Sequence, residues 1–358
     1  MVVYWNVPTK AGEVAVDKKA TIIDIARAAG VSKSAVSLVL TGSGKLKPET
    51  ERAIRTAMRE LGYVYNRGAA SLRNPQSRIV GMVINDLSNP FFAELAIGIE
   101  RVLRTSGYIP FMANTSESRI RQAEVVRSMR EHGASGLIIC PTLDTDAKEI
   151  ATLAGIGIPI VIAIRRIEGA KVPLVVSDNR GGAEQAAQRL AMLGHKRIAF
   201  VGGFANTGIR DDRVEGFSNA LRAAGLAIDP SLIVDAPPTK DGGFAAMDTL
   251  LDRPDRPTAT LCFNDVVAIG AMYALGRRGI VPGRDMAVIG FDDTTEARHA
   301  SPPLTTVSVG VDDLGQRAAQ LLLRRIEGRG STAESQIGET RLVIRESCGG
   351  TRTIKEVA

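Results

Sequence analysis

The sequence predicts an α/β protein in three parts: a small all-helical head at the N-terminus followed by two doubly wound parallel-sheet lobes. Three observations predict it. From Ile79 onward, short apolar runs of strand character alternate with amphipathic helical stretches. That alternation occurs twice, before and after about Ser177. The charge is also uneven: residues 1–74 carry twelve Lys/Arg against six Asp/Glu, whereas the rest of the chain carries thirty-three of each. A length of 358 residues, at about 100–200 residues per domain, fits two or three compact units. No apolar run reaches the roughly 18 residues a membrane span needs.

Residues 1–20 contain Lys10, Lys18 and Lys19 but no continuous apolar core, so they read as a leader without the pattern of a secretory signal, and a cytoplasmic location is expected. Residues 21–62 read as three short helices. Thr21 can N-cap the first, with Asp24 at its third position completing a capping box and Ile22, Ile25, Ala26 and Ala29 on its inner face. Gly30 ends it. Ser32 caps a second helix carrying Val36, Val39 and Leu40, and Thr41-Gly42-Ser43-Gly44 is a loop. Pro48 opens a third, with Glu49 and Glu51 at its positive end and Ile54, Ala57, Met58 and Leu61 as its buried stripe; Gly62 stops it.

The strand candidates that follow are Ile79–Ile84, Gly136–Cys140, Ile158–Ile162, Leu174–Val176, Ile198–Val201, Ala259–Phe263 and Met286–Phe291. Helical candidates between them are Phe91–Thr105, Arg119–His132, Gly181–Leu193, Arg213–Ala224, Val266–Arg278 and Leu314–Ile326. The expected boundaries are a leader at 1–20, a head at 21–65, a hinge or linker at 66–77, one lobe from 78–177 with 310–335, and a second from 178–309 with 336–358. Ligands of such sheets bind beyond the carboxyl ends of the strands, which selects the loops after Ile84, Val201, Phe263 and Phe291.

The stretch from Ile25 to Ser37 fits two helices joined by a tight turn. Ala26 allows close approach, Gly30 makes the turn, and Val31 and Val36 fill the space between. Thr21-Ile22-Ile23-Asp24-Ile25-Ala26, Gly30-Val31-Ser32, Ala35-Val36-Ser37, Leu61-Gly62-Tyr63 and Asn66 through Leu72 together resemble the helix-turn-helix head and hinge of the LacI/GalR family of bacterial transcription regulators. The body resembles that family too, which implies periplasmic-binding-protein-like lobes. The resemblance implies that Lys33 and Ser34 face base edges and that Thr21, Ser37, Thr41 and Thr50 meet phosphates. It places Asn66 at the DNA backbone and Lys45 at either phosphate or base. Many relatives carry Arg immediately after the Val-Ser pair, where this chain has Leu38, which can touch only a thymine methyl or pack. Residues Arg67 to Pro75, including Ala69, are short, small and basic. About seven residues cannot sustain a helix alone in water. By resemblance they fold when two copies meet over the minor groove, with Leu72 as a wedge between base steps.

The resemblance also implies an effector between the lobes, with Arg213, Asn264 and Asp292 as polar ligands and Phe92 and Phe244 as apolar walls. Asn89 lies in the Asn85-Asp86-Leu87-Ser88-Asn89-Pro90 loop of the other lobe. Asp265 and Asp293 read equally as structural caps, and both Phe residues as core. Ile164 stands where many sugar-responsive relatives have Asp, and Arg210 sits one position from a common family Arg. The effector is therefore a sugar or a related small metabolite. It acts either as inducer or as corepressor.

Other classes fit less well. There is no GxGxxG after a strand, no Walker A, GxSxG or HExxH pattern, and His132, His195 and His299 lie on different segments, so no catalytic activity is expected. Cys140, Cys262 and Cys348 are far apart without Cys/His clustering, so no metal or other cofactor is expected. A solute-binding transport protein would explain two lobes but not the basic head. The expectation is a homodimeric repressor whose partners are a near-palindromic double-stranded operator and a small-molecule effector, with no membrane partner. Arg341–Ala358 lacks a leucine heptad, so no tetramer-forming tail is expected.

Overall fold

The computed structural model describes residues 20–41, 46–63, 77–155, 157–331 and 334–350. The leader apart from Ala20, and the hinge apart from Ser77, lie outside the described residues. The chain divides into two units, Met1–Pro75 and Gln76–Ala358.

In the first unit, α1 (Ile22–Ala28), α2 (Lys33–Thr41) and α3 (Pro48–Glu60) close on a small core. Asp24 and Thr21 cap α1 reciprocally: the Asp24 N–H donates to Thr21 Oγ1 at 3.3 Å and the Thr21 N–H to Asp24 Oδ2 at 2.9 Å. The reversal after α1 runs through Gly30 at φ 64°, a conformation that costs any other residue steric strain. Ser32 Oγ then accepts the Ala35 N–H at 3.2 Å. Pro48 occupies the first turn of α3, where its missing N–H costs nothing. Ile25, Val36 and Ile54, one from each helix, are fully buried with Ala26 and Ala57 between them.

The second unit holds two sheets. The first contains β1 (Ile79–Ile84), β2 (Ile109–Asn114), β3 (Gly136–Ile139), β4 (Ile160–Ala163), β5 (Leu174–Ser177) and β11 (Ser335–Gly338), in the order β11-β5-β4-β3-β1-β2 and parallel throughout. Its helices are α4 (Pro90–Thr105), α5 (Arg119–Glu131), α6 (Ala147–Ala154) and α12 (Val311–Ile326). The second contains β6 (Ile198–Val201), β7 (Ile233–Val234), β8 (Ala259–Cys262), β9 (Ala287–Asp292), β10 (Thr305–Ser308) and β12 (Arg341–Val343), in the order β12-β10-β9-β8-β6-β7. It carries α7 (Asn179–Met192), α8 (Gly208–Ala223), α9 (Lys240–Leu251), α10 (Asp265–Arg277) and α11 (Thr295–His299). Strands β3, β4, β6, β8 and β9 are buried at every residue, as helices on both faces of a sheet require.

Two glycines knit α4 to α12. A Cβ on Gly98 would sit 2.2 Å from the Asp312 carbonyl oxygen, and one on Gly315 2.4 Å from that of Leu95, so the helices touch backbone to backbone. The chain passes between the sheets three times: after β5, between β10 and α12, and between β11 and β12. A buried apolar cluster spans these crossings, from Leu95 and Ile99 through Val309 and Val311 to Phe291 and Val307.

The structure departs from the sequence expectations at several places: β7, β10, β11 and β12 and the helices α6, α9 and α11 were not expected, and Leu61, expected in the buried stripe of α3, is 40% exposed. The expected lobe boundary at 335/336 cuts through β11, which pairs along its whole length with β5; the second passage to the other lobe therefore begins after Gly338. Strand β12 is antiparallel to β10, because the chain crosses and reverses within two residues. Helix α8 begins at Gly208, five residues before the expected Arg213, because the polar stretch Gly208–Asp212 is its first turn rather than loop. Strand β2 was not expected at all. It is the sheet's edge, with half its residues exposed, none buried, and Pro110 within it, so it shows neither a buried run nor alternation.

Candidate functional site

In the head, the second helix presents one exposed face. Lys33, Ser34, Ser37 and Leu38 lie on it, opposite buried Val36, and Leu38 is 37% exposed. Thr41 is the last residue of α2. Thr50 is half-buried in the first turn of α3. Thr21 is exposed, but its hydroxyl donates to Asp24 Oδ2 at 2.6 Å, so the start of α1 already holds a carboxylate. Lys45, Asn66, Ala69 and Leu72 lie outside the described residues.

In the two-lobe unit a cleft of about 410 Å³ opens between the sheets. Its walls are the chain segments leaving the carboxyl ends of β1, β2, β3 and β4 on one side and β6, β7, β8 and β9 on the other. Asn89, Phe92, Arg213, Asn264 and Asp292 all line it. Asn89 and Asn264 do so while capping helices: Asn89 Oδ1 accepts the Phe91 N–H at 3.0 Å, and Asn264 Oδ1 accepts that of Val267 at 2.9 Å. Phe92 stands edge-on to Phe91, with centroids 5.2 Å apart.

Arg213 anchors the floor. Its Nε donates to Asn179 Oδ1 at 2.9 Å, one Nη donates to the Phe263 carbonyl, and the other lies 3.6 Å from Asp292 Oδ1. The guanidinium stacks over Phe291 at 3.6 Å and Phe263 at 4.8 Å. Burial lowers its pKa to about 10, which leaves it charged at neutral pH. Asp292 is pushed well above the usual carboxylate range, chiefly by burial, with Arg213 pulling the other way and the charges of Asp265 and Glu94 adding to the rise. Asp265, fully buried behind it, is raised to about 7 by desolvation although it accepts bonds from the Thr306 hydroxyl at 2.5 Å and the Thr294 N–H at 2.8 Å. Asp265 therefore ties β10 and the start of α11 to α10, and Asp293 pairs with Arg345 at 2.5 Å; both carboxylates are structural.

The opposite wall holds residues that sequence reasoning missed. Glu117 receives Arg165 Nη2 at 3.1 Å, the Asn85 side-chain amide at 2.6 Å and the Leu143 N–H at 2.9 Å. Arg165 also donates to the Pro141 carbonyl. Four non-glycine residues of the cleft have positive φ: Ser116 (51°), Glu117 (56°), Ile164 (72°) and Asp292 (120°). For a β-branched residue such as Ile164 this is a strained conformation, and strain of this kind collects at binding sites. Asn85 and Ile164 stood in stretches already singled out, but Glu117 and Arg165 carried no local signal.

One reading is corrected. Phe244 does not line the cleft. It lies more than a turn into α9, where its ring packs with the core of the second lobe under Arg277, 4.7 Å away. Arg210 is likewise outside the lining and is paired with Asp235.

A head with an exposed second helix and a two-lobed clamp with a polar-floored cleft together define an effector-type DNA-binding regulator. Comparisons with known proteins give the family. Residues 21–66 match the model of bacterial regulatory proteins of the lacI family, and residues 77–346 match that of periplasmic binding proteins and the sugar binding domain of the LacI family. The transcriptional regulator CelR of Thermobifida fusca is 33% identical over 337 residues, covering 92% of this chain and 98% of the relative. GalR of Escherichia coli is 32% identical over 92% of this chain and 95% of its own length. Among solved structures, a CelR–cellobiose complex aligns with a TM-score of 0.70 at 32% identity, covering 92% of this chain and all of the other. The lac repressor dimer bound to operator and the anti-inducer ONPF aligns at 0.80 and 26% identity, covering 92% and 99%. The chain belongs to the LacI family of bacterial regulatory proteins.

Proposed function

We propose that this chain is a sequence-specific transcriptional repressor that acts as a homodimer in the cytoplasm, binds a near-palindromic operator through its heads, and changes operator affinity when a sugar occupies the cleft. The observation that carries this reading is the joining, in one chain matched along nearly its whole length by transcriptional regulators, of a helix-turn-helix head and a cleft built from strand ends of two lobes. No catalytic role is assigned to the cleft. Its buried carboxylates are held by Arg213 or by Thr hydroxyls.

In the head, Lys33 and Ser34 read base edges. Ser37, Thr41 and Thr50 meet phosphates, and short hydroxyls and helix starts suit that task. Thr21, Lys45, Asn66, Ala69 and Leu72 complete the contact set. In the body, the effector bridges one lobe to the other, its hydroxyls meeting Asn89 on one side and Asn264 and Asp292 on the other, its apolar face against Phe92, and Arg213 acting through Asp292, which it holds in place. A ligand touching both lobes binds one inter-lobe angle better than another, and that difference is all that can move the operator equilibrium. The dimer is supported by the open edge of the first sheet. There β2 exposes Phe111 and Met112 along an unpaired edge, and α4 of the same lobe exposes Ile97, apolar groups of the kind that favour self-association.

A gel shift with DNA upstream of the gene, competed by nonspecific duplex and repeated with a sugar panel, tests the reading. Specific retention that a sugar alters supports it. Binding that nonspecific DNA removes equally well sinks it. Sedimentation reports the dimer, and a stable tetramer would contradict the assigned assembly.

A further inference from the structure

We infer that the cleft selects an uncharged, hydroxyl-rich ligand and turns away the phosphorylated or carboxylated form of the same molecule; this deepens, and rests on, the effector-cleft reading above.

Recognition of an anion rests on a cation with a free donor face or on N–H groups left open at a helix start. The lining holds two cations, Arg165 and Arg213, and both are committed to the protein. Arg213 is engaged by Asn179, the Phe263 carbonyl and Asp292, with aromatic rings against its plane. Arg165, its side chain 13% exposed, is held by Glu117 and the Pro141 carbonyl. Against these two stand three lining carboxylates, Asp86, Glu117 and Asp292, so the cleft carries no cationic excess. Asp86 has no ion-pair partner among the described residues; its Oδ1 accepts from Ser88. Glu94 adds a further negative charge facing Asp292.

Helix starts offer an anion little either. The first turns of α4, α9 and α10 face the cleft, but Asn89, Thr239 and Asn264 already accept an N–H in each. The first turn of α8 carries Asp211.

What the cleft does present is acceptors and apolar faces. Glu117 accepts one N–H of the Asn85 side-chain amide at 2.6 Å, which orients the amide and its Oδ1. That oxygen has no hydrogen-bond partner among the described residues, although Asn85 is only 5% exposed. Asn85 Oδ1 and Asp86 call for donors on the ligand. Hydroxyls supply them; a phosphate dianion or a carboxylate has none. Phe92, Phe204, Phe263 and Ile164 offer surface to the C–H faces of a sugar ring.

The test is calorimetry on the full chain with matched pairs: glucose and glucose 6-phosphate, ribose and ribose 5-phosphate, galactose and galacturonate, cellobiose and cellobionate. At least one neutral member is expected to bind, with its charged partner weaker by about 100-fold or more, since an anion buried without a free cation is not compensated. Glu117→Gln releases Arg165 and should narrow that gap by about tenfold. A charged member that binds as well as its neutral partner overturns the inference, as does a variant that leaves the gap unchanged. Binding of no neutral sugar also overturns it, and a gel shift that still shows specific operator binding would leave the repressor reading standing.

Discussion

Replacing Arg213 by Met keeps a long apolar stem and removes a guanidinium that is 6% exposed in its residue. Taking one partner out of a buried ion pair costs about 3–5 kcal/mol, because the other charge stays behind uncompensated. Asn179 Oδ1 and the Phe263 carbonyl each lose a donor as well, worth about 1 kcal/mol or more apiece. Met regains part of this through contact with Phe291 and Phe263. Proton uptake by Asp292 caps the loss. Burial already raises its pKa, Arg213 opposes that rise, and without Arg213 the carboxyl is protonated over a wider range. Its folded-state pKa then stands further above the unfolded one, so the variant's stability falls as pH rises between the two. The expected loss is about 4 kcal/mol at pH 8 and about half that at pH 5. Adding Asp292→Asn should recover about 2 kcal/mol at pH 8, since no charge is then stranded. Urea unfolding followed by circular dichroism measures all three proteins. A loss below about 1 kcal/mol that does not vary with pH, or strict additivity in the double variant, would refute the assignment of Arg213 and Asp292 as a buried pair.

Three further outcomes are expected. Asp265, raised to about 7 by burial, releases its proton later in the folded than in the unfolded state; stability of the two-lobe unit should therefore fall by about 4 kcal/mol from pH 4 to pH 7 and level above, and Asp265→Asn should flatten that slope in denaturant titrations. Glu94 of α4 reaches across to the other lobe, where its Oε1 accepts both the N–H and the hydroxyl of Thr295 at 3.0 Å; Glu94→Ala should disfavour the lobe angle seen here, raising the radius of gyration in solution scattering and changing effector affinity by about tenfold. Leu38 cannot hydrogen-bond a base, so selection of binding sites from random duplex should return no guanine requirement opposite it, whereas Leu38→Arg should gain about 1–3 kcal/mol of preference for guanine there.

The parts legible in the sequence are those whose physics is local. The Thr21–Asp24 box, the Gly30 reversal and Pro48 at the start of α3 each act within four residues, and each stands where the pattern put it. The rule that ligands meet the carboxyl ends of parallel strands selected the loops after Ile84, Val201, Phe263 and Phe291, and the family resemblance singled out Arg213, Asn264 and Asp292 near them; the topology brings these residues to one cleft. What could not be read depends on long-range pairing or helix phase. Glu117 follows β2 and Arg165 follows β4, 48 residues apart, and they meet only because β4, β3, β1 and β2 lie side by side. Phe244 was misplaced because α9 was not foreseen, and a helix's phase decides which side of it faces a cleft. Gly98 and Gly315 look like helix weaknesses in sequence and become intelligible only once α4 meets α12.

The same distinction bears on mechanism. The lobes are tied by three chain passages and a shared apolar cluster, which permit rotation but not separation. Outside those ties, the Glu94–Thr295 contact belongs to one inter-lobe angle only, since its donors and acceptor sit on different lobes. An effector held by Asn85 and Phe92 on one side and by Asn264 and Asp292 on the other adds contacts of the same kind. A ligand confined to either wall would bind all angles equally and shift nothing, however tightly it bound. Control of the operator therefore requires that the sugar's hydroxyls divide between the walls, and the placement of buried acceptors on both sides of the cleft meets that requirement.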